Sequence, residues 1–140
     1  RFERAYKQEL YESKNIHTYG FVDIKSDLFR QLIEKCLFTI FPSCSEGEPS
    51  SVVNLMANGI IPVVTKTAGI KTKDFGYLVD ELTIDSIDQT INCILQTRET
   101  DLKMKSFRCF QDTRKTHSIE TYSLKLQEHL ETILEKYHEM

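Results

Sequence analysis

The sequence has no run approaching the roughly 18 consecutive apolar residues that a membrane-spanning helix requires, so no transmembrane segment is expected. It has no positively charged opening followed by an apolar stretch, so no secretory leader is expected. A soluble, cytoplasmic protein is the expectation. Neither sign of charge is in surplus: 18 Lys and Arg face 21 Asp and Glu, a net charge of -3, which leaves no basic footprint for nucleic acid and no acidic tail. The four cysteines, Cys36, Cys44, Cys93 and Cys109, lack any C-x-x-C spacing, and His17, His117, His129 and His138 supply no second close ligand for them. No metal is expected, and the thiols read as buried and reduced. Repeats and low-complexity segments are absent too. The chain opens "RFERAYKQEL", without a methionine and inside a helical pattern, and reads as an excerpt of a longer polypeptide.

What is present is an ordinary globular composition. Of 140 residues, 40% are apolar and 10% aromatic, enough for one core and a single domain over 1–140. Residues 1–13 carry Phe2, Ala5, Tyr6 and Leu10 near helical spacing. "NIHTYGFV" reads as a short strand broken at Gly20. Ser26 suits an N-cap for a helix bearing Leu28, Phe29, Leu32 and Ile33. "CLFTIFP" and "GIIPVVT" are short apolar runs of the kind found in parallel strands buried on both faces. Gly59 suits a helix C-cap, and Pro62 belongs near a strand start. "TKTAGIKTKDFG" is loop-like and "YLVD" a brief strand. Helices are predicted over 84–96, about 100–114 and 118–137, the last with Leu124, Leu126, Leu130, Ile133 and Leu134 facing inward. Alternating strands and helices predict an α/β fold, a Rossmann-like parallel sheet with helices on both faces. Ligands of such sheets lie at the carboxyl ends of the strands.

The longest polar loop expected at those ends lies in "SCSEGEPSSVVNLMANGIIP", residues 43–62. Pro49 suits the first helical position, where its missing N–H costs nothing. The amides of Ser50, Ser51 and Val52 would then point out of a helix start, an arrangement that favours an anion such as phosphate. Gly47 allows close approach to the backbone. Glu48, beside Pro49, reads as a helix-start carboxylate. Glu46 admits that reading or a role accepting hydrogen bonds from sugar hydroxyls. The two carboxylates sit too close in sequence to flank a bond as acid and base. The Asn54 amide suits ribose hydroxyls or a base edge. Asn58 reads as a helix terminator, and Lys66, Lys71 and Lys73 as surface lysines or as neighbours of a phosphate.

Taken together, Pro42-Ser43, Glu46-Gly47, Pro49, the run from Asn54 to Gly59 and Pro62-Val63-Val64 resemble the donor-binding signature of retaining glycosyltransferases with two Rossmann-like domains (the GT-B type), in their family-four or group 1 class. "NIHTYGFV", "GYLVD" and "SIETYSLKLQEHLETIL" extend the resemblance over nearly the whole chain. It implies the C-terminal, donor-binding half of such an enzyme, lacking its first strands, with a nucleotide-diphosphate sugar as donor substrate and no other cofactor. In that pattern Glu46 contacts the donor sugar and is the catalytic-site carboxylate. Ser45, Gly47, Glu48, Pro49, Ser50 and Ser51 hold sugar and diphosphate, and Gly20 and Val22 lie near the base. Asn54 stands where the family usually places a ribose-binding glutamate. The glycan or lipid acceptor would bind an N-terminal domain, and the leading strand with its basic pair is missing, so the 140 residues alone are expected to be inactive. A non-catalytic nucleotide-sugar-binding domain and a nucleotide-sugar epimerase of the same architecture are the alternatives. A flavodoxin-like signalling domain is disfavoured because no aspartate ends the first strand.

Overall fold

The β-branched run "IPVVT" becomes β2 (Ile61–Thr65), and all five of its residues are buried. Because alternate strand residues point to opposite sides, burial of Ile61 and Val63 together with Pro62 and Val64 means that both faces of β2 are covered. The structure is a computed structural model that describes residues 2–138. It divides into two units between Glu34 and Lys35.

The first unit is helical. The predicted helix over 1–13 is interrupted at Tyr6, giving α1 (Phe2–Ala5) and α2 (Lys7–Tyr11), and residue 1 lies outside the described residues. α3 (Asp27–Ile33) starts as its sequence dictates: Ser26 Oγ accepts the Phe29 N–H at 3.1 Å. "NIHTYGFV" forms no strand, contrary to expectation. A strand exists only by pairing its backbone with a neighbour, and no other strand occurs among the described residues of this unit.

The second unit holds a three-stranded parallel sheet in the order β1-β2-β3, with β1 at Phe38–Phe41 and β3 at Tyr77–Val79. Phe38 pairs with Ile61 and Phe41 with Val64, while Val63 pairs with Tyr77. β1 was expected to be buried on both faces, but it is an edge strand and Ile40 is 54% exposed. Between β1 and β2 runs α4 (Ser50–Met56). β2 reaches β3 through a 3-10 turn at Lys66–Ala68 and a loop. α5 (Ile84–Gln96) packs against β3, and Thr83 caps it by accepting the Ser86 N–H at 3.2 Å.

α4 ends where the sequence said it would. Gly59 takes φ +82°, its N–H reaches Met56 O, and the Ile60 N–H reaches Leu55 O, the paired bonds of a left-handed C-terminal cap. A Cβ on Gly59 would meet Ser106 Oγ at 3.0 Å, so the missing side chain also lets α6 (Glu99–Thr116) come close. The core is Val52, Met56, Val64, Ala68, Ile70, Phe75 and Cys109, drawn from α4, β2, the loop after it and α6. At roughly 1.5–3 kcal/mol for each fully buried large side chain, this cluster dominates the apolar contribution to stability.

α7 (Ile119–His138) departs from expectation. Leu124, Leu126, Leu130, Ile133 and Leu134 were predicted to face inward, yet they are 46–62% exposed. Periodicity shows that a helix has an apolar stripe, but it does not supply a surface to cover it. The thiols also divide: Cys109 is buried, whereas Cys36, Cys44 and Cys93 are exposed, and all four are free.

Candidate functional site

The acidic loop lies at the carboxyl end of β1, between that strand and α4, which is where a parallel sheet presents its ligand-binding loops. Three contacts with the end of β2 and the turn after it hold it. Thr65 Oγ1 and Thr67 Oγ1 both donate to Ser43 O, the second at 2.7 Å. The Glu46 N–H donates to Thr67 O at 3.0 Å. Gly69, at φ +72°, lies directly against the Glu46 and Glu48 backbone. None of these supports is legible as a motif, because they come from the next strand and the turn that follows it.

Within the loop, Ser45, Glu46 and Gly47 are exposed. The Glu46 carboxylate makes no hydrogen bond or ion pair among the described residues, so its acceptor capacity is open to solvent. Glu48 adopts φ +65°, unusual for a residue with a Cβ. Its carboxylate does not cap α4, contrary to expectation. It turns instead to His117, whose Nε2 lies 3.0 Å from Glu48 Oε1.

Pro49 occupies the N-cap, not the first helical position, with φ -60° and ψ 123°. The extended ψ puts Pro49 just outside the helix. Its carbonyl accepts from Val52 N–H at 3.0 Å and from Val53 N–H at 3.2 Å, so the Val52 amide is occupied, contrary to the row of three free amides expected from sequence. The Ser50 and Ser51 amides make no backbone hydrogen bond among the described residues. Asn54 is half-buried on α4, and its backbone carbonyl accepts from Asn58 Nδ2 at 2.8 Å. That contact engages Asn58 at the C-terminal turn, as its reading as a terminator expects.

Ser45 to Ser51 and Asn54 are thus brought together in one loop and the helix it enters. Gly20 and Val22 belong to the other unit, Gly20 with φ +63°. Glu48 and Gly69 also wall a cavity of about 640 Å³ whose lining includes Lys71, Lys73, His117 and Tyr122. Of the expected site residues it takes only Glu48. Lys73, one of the candidate phosphate neighbours, is paired with Asp112 of α6.

A family model described as "Glycosyl transferases group 1" matches residues 2–107. The chain belongs to that family. Membership of the group 1 glycosyltransferases supports glycosyl transfer as the activity, and the parallel sheet with its covering helices is the matching Rossmann-like α/β architecture. The match takes in the whole acidic loop, α4 and all three strands, and it ends within α6. Comparison with curated proteins and with solved structures finds no match. No helix among the described residues is long and apolar enough to cross a membrane.

Proposed function

We propose that this glycosyltransferase chain binds the donor, a nucleotide-diphosphate sugar, for retaining transfer of a hexose or similar sugar to a glycan or lipid acceptor. The observation that carries the reading is the family match across a polar loop set at the carboxyl end of a parallel strand. The exposed Glu46 carboxylate accepts hydrogen bonds from donor sugar hydroxyls. Gly47, without a side chain, admits the diphosphate to the backbone, and the Ser50 and Ser51 amides and hydroxyls donate to its oxygens. Pro49, Glu48 and Ser45 shape that cradle, and the Asn54 side chain meets the ribose. The acceptor binds another part of the polypeptide, and the reaction takes place in a soluble, cytoplasmic setting. Asn54 in place of the family's usual glutamate favours one second reading, a domain that binds nucleotide sugars without transferring them.

The test is a titration with UDP, GDP and ADP and with the glucose ester of each, following amide shifts. Shifts centred on Ser45–Asn54 and a preference among the three bases are expected. Glu46→Gln should weaken the sugar esters and leave the free nucleotides unchanged. Absence of any response at Gly47–Asn54 would overturn the reading.

A further inference from the structure

The structure assigns His117 as a positioning residue for the acidic loop, holding it through Glu48 in its imidazolium form. This rests on the donor-binding reading above and extends it past the family match, which ends ten residues earlier at residue 107. Glu48 sits in the left-handed region at φ +65°, a conformation that costs a side-chain-bearing residue on the order of 1–2 kcal/mol. Its backbone is already seated against Gly69. Its carboxylate is the loop's one charged link to another helix among the described residues, through the 3.0 Å contact with His117 Nε2.

His117 is itself fixed. It forms the C-cap of α6, with its N–H on Thr113 O at 2.9 Å, and α7 begins two residues later. Its other ring nitrogen, Nδ1, lies 2.8 Å from Thr116 Oγ1. That hydroxyl spends its only hydrogen on Asp112 O at 2.8 Å. Thr116 Oγ1 can therefore only accept from Nδ1–H, and an ionised Glu48 can only accept from Nε2–H. Both nitrogens must carry hydrogen for all three bonds to exist, which is the doubly protonated, charged ring. A neutral ring must give up one of the three: the Glu48 bond, the Nδ1–Thr116 bond or, with the Thr116 hydroxyl turned onto Nδ1, the Thr116–Asp112 bond. The other charged or titratable groups around the same cavity are Asp112 on α6, Lys71 and Lys73 on the loop after β2, and Tyr122 and Lys125 on α7. Lys73 and Asp112 are already paired with each other.

The consequence is a loop that is held more firmly as His117 gains its proton. Amide hydrogen exchange at Glu46, the loop residue whose N–H is bonded to Thr67 O, without any donor, followed by affinity for UDP-, GDP- and ADP-glucose from about pH 8 to about pH 5, tests this. His117→Ala should speed exchange of the loop by about fivefold to tenfold, the worth of a partly exposed charge-assisted hydrogen bond, and weaken donor affinity by a similar factor. Wild-type affinity should rise as pH falls, and the rise should vanish in His117→Ala. His117→Gln, which retains one N–H donor for Glu48, should restore most of the affinity without the pH dependence. Glu48→Gln should match His117→Ala in losing the pH dependence, and the double variant should be no worse than the worse single one. Unchanged exchange in His117→Ala, additive losses in the double variant, or faster exchange with unchanged donor affinity would each overturn the assignment. A wild-type protein that binds no nucleotide sugar would sink the donor reading instead, and the exchange and double-variant results would then decide the tether alone.

Discussion

A Cβ placed on Gly69 would lie 2.9 Å from the amide nitrogen of Glu48 and 3.2 Å from the carbonyl oxygen of Glu46. Both are backbone atoms and cannot yield as the end of a side chain can. Gly69 also holds φ +72°, which penalises any other L-residue. Gly69→Ala is therefore expected to cost about 2–3 kcal/mol and to displace the Glu46–Glu48 loop. Urea unfolding gives the first quantity and amide shifts at Glu46 and Gly47 the second. A variant as stable as the parent, with an unchanged loop spectrum, would show that the close approach does not constrain the loop.

Asn54 provides a gain-of-function prediction. Its side chain can offer ribose one neutral acceptor, whereas a glutamate offers two charged ones. Asn54→Glu is expected to tighten binding of the preferred free nucleotide by about tenfold, equivalent to about 1.4 kcal/mol. Calorimetric titration with UDP, GDP and ADP measures it directly. No gain with any of the three would remove ribose from the vicinity of Asn54.

Cys109 predicts a pH dependence at the alkaline end. Burial, with a smaller contribution from the Asp112 charge and partly offset by Thr113, pushes its thiol from 9.0 up to about 11. The side chain is fully buried beneath α4, its Sγ 3.7 Å from Met56 O and 3.5 Å from Ile60 O. Above pH 9 an unfolded chain releases this proton while the folded chain keeps it, so rising pH favours unfolding. The contribution is fully present below about pH 9 and is lost as pH rises towards about 11, on the order of 2–3 kcal/mol in all. Cys109→Ala should show a shallower loss of stability over that window than wild type, measured by urea midpoints at each pH. Parallel curves for the two proteins would exclude the thiol as the source.

Elements whose formation depends on nearby sequence were legible. Ser26 and the apolar positions after it gave α3, the isoleucines gave α5 at its observed ends, and Gly59 marked the close of α4. The short apolar runs gave β1 and β2 as parallel partners. The acidic loop could be placed at a strand end because the strand before it and the helix after it were both readable. Its conformation could not. Pro49 sits one position earlier than expected because the loop, pinned by Thr65, Thr67 and Gly69, enters α4 with an extended ψ at the proline. That entry also occupies the Val52 amide, which sequence logic had left free. "NIHTYGFV" has strand composition but no partner strand among the described residues of its unit, and α7 has an apolar stripe left exposed among the described residues, so local pattern misled in both places.

The sequence by itself determined the parallel α/β class, the caps at Ser26 and Gly59, the central buried strand and the family signature, because each follows from side-chain chemistry and spacing within a few residues. Only the tertiary structure decided which carboxylate stays open and which is tied down. Glu46 and Glu48 are two residues apart and chemically identical. One faces solvent, and the other meets a histidine 69 positions later. No local rule separates them, because the difference lies in where α6 ends relative to the loop, and packing of α6 on α4 and β2 sets that position.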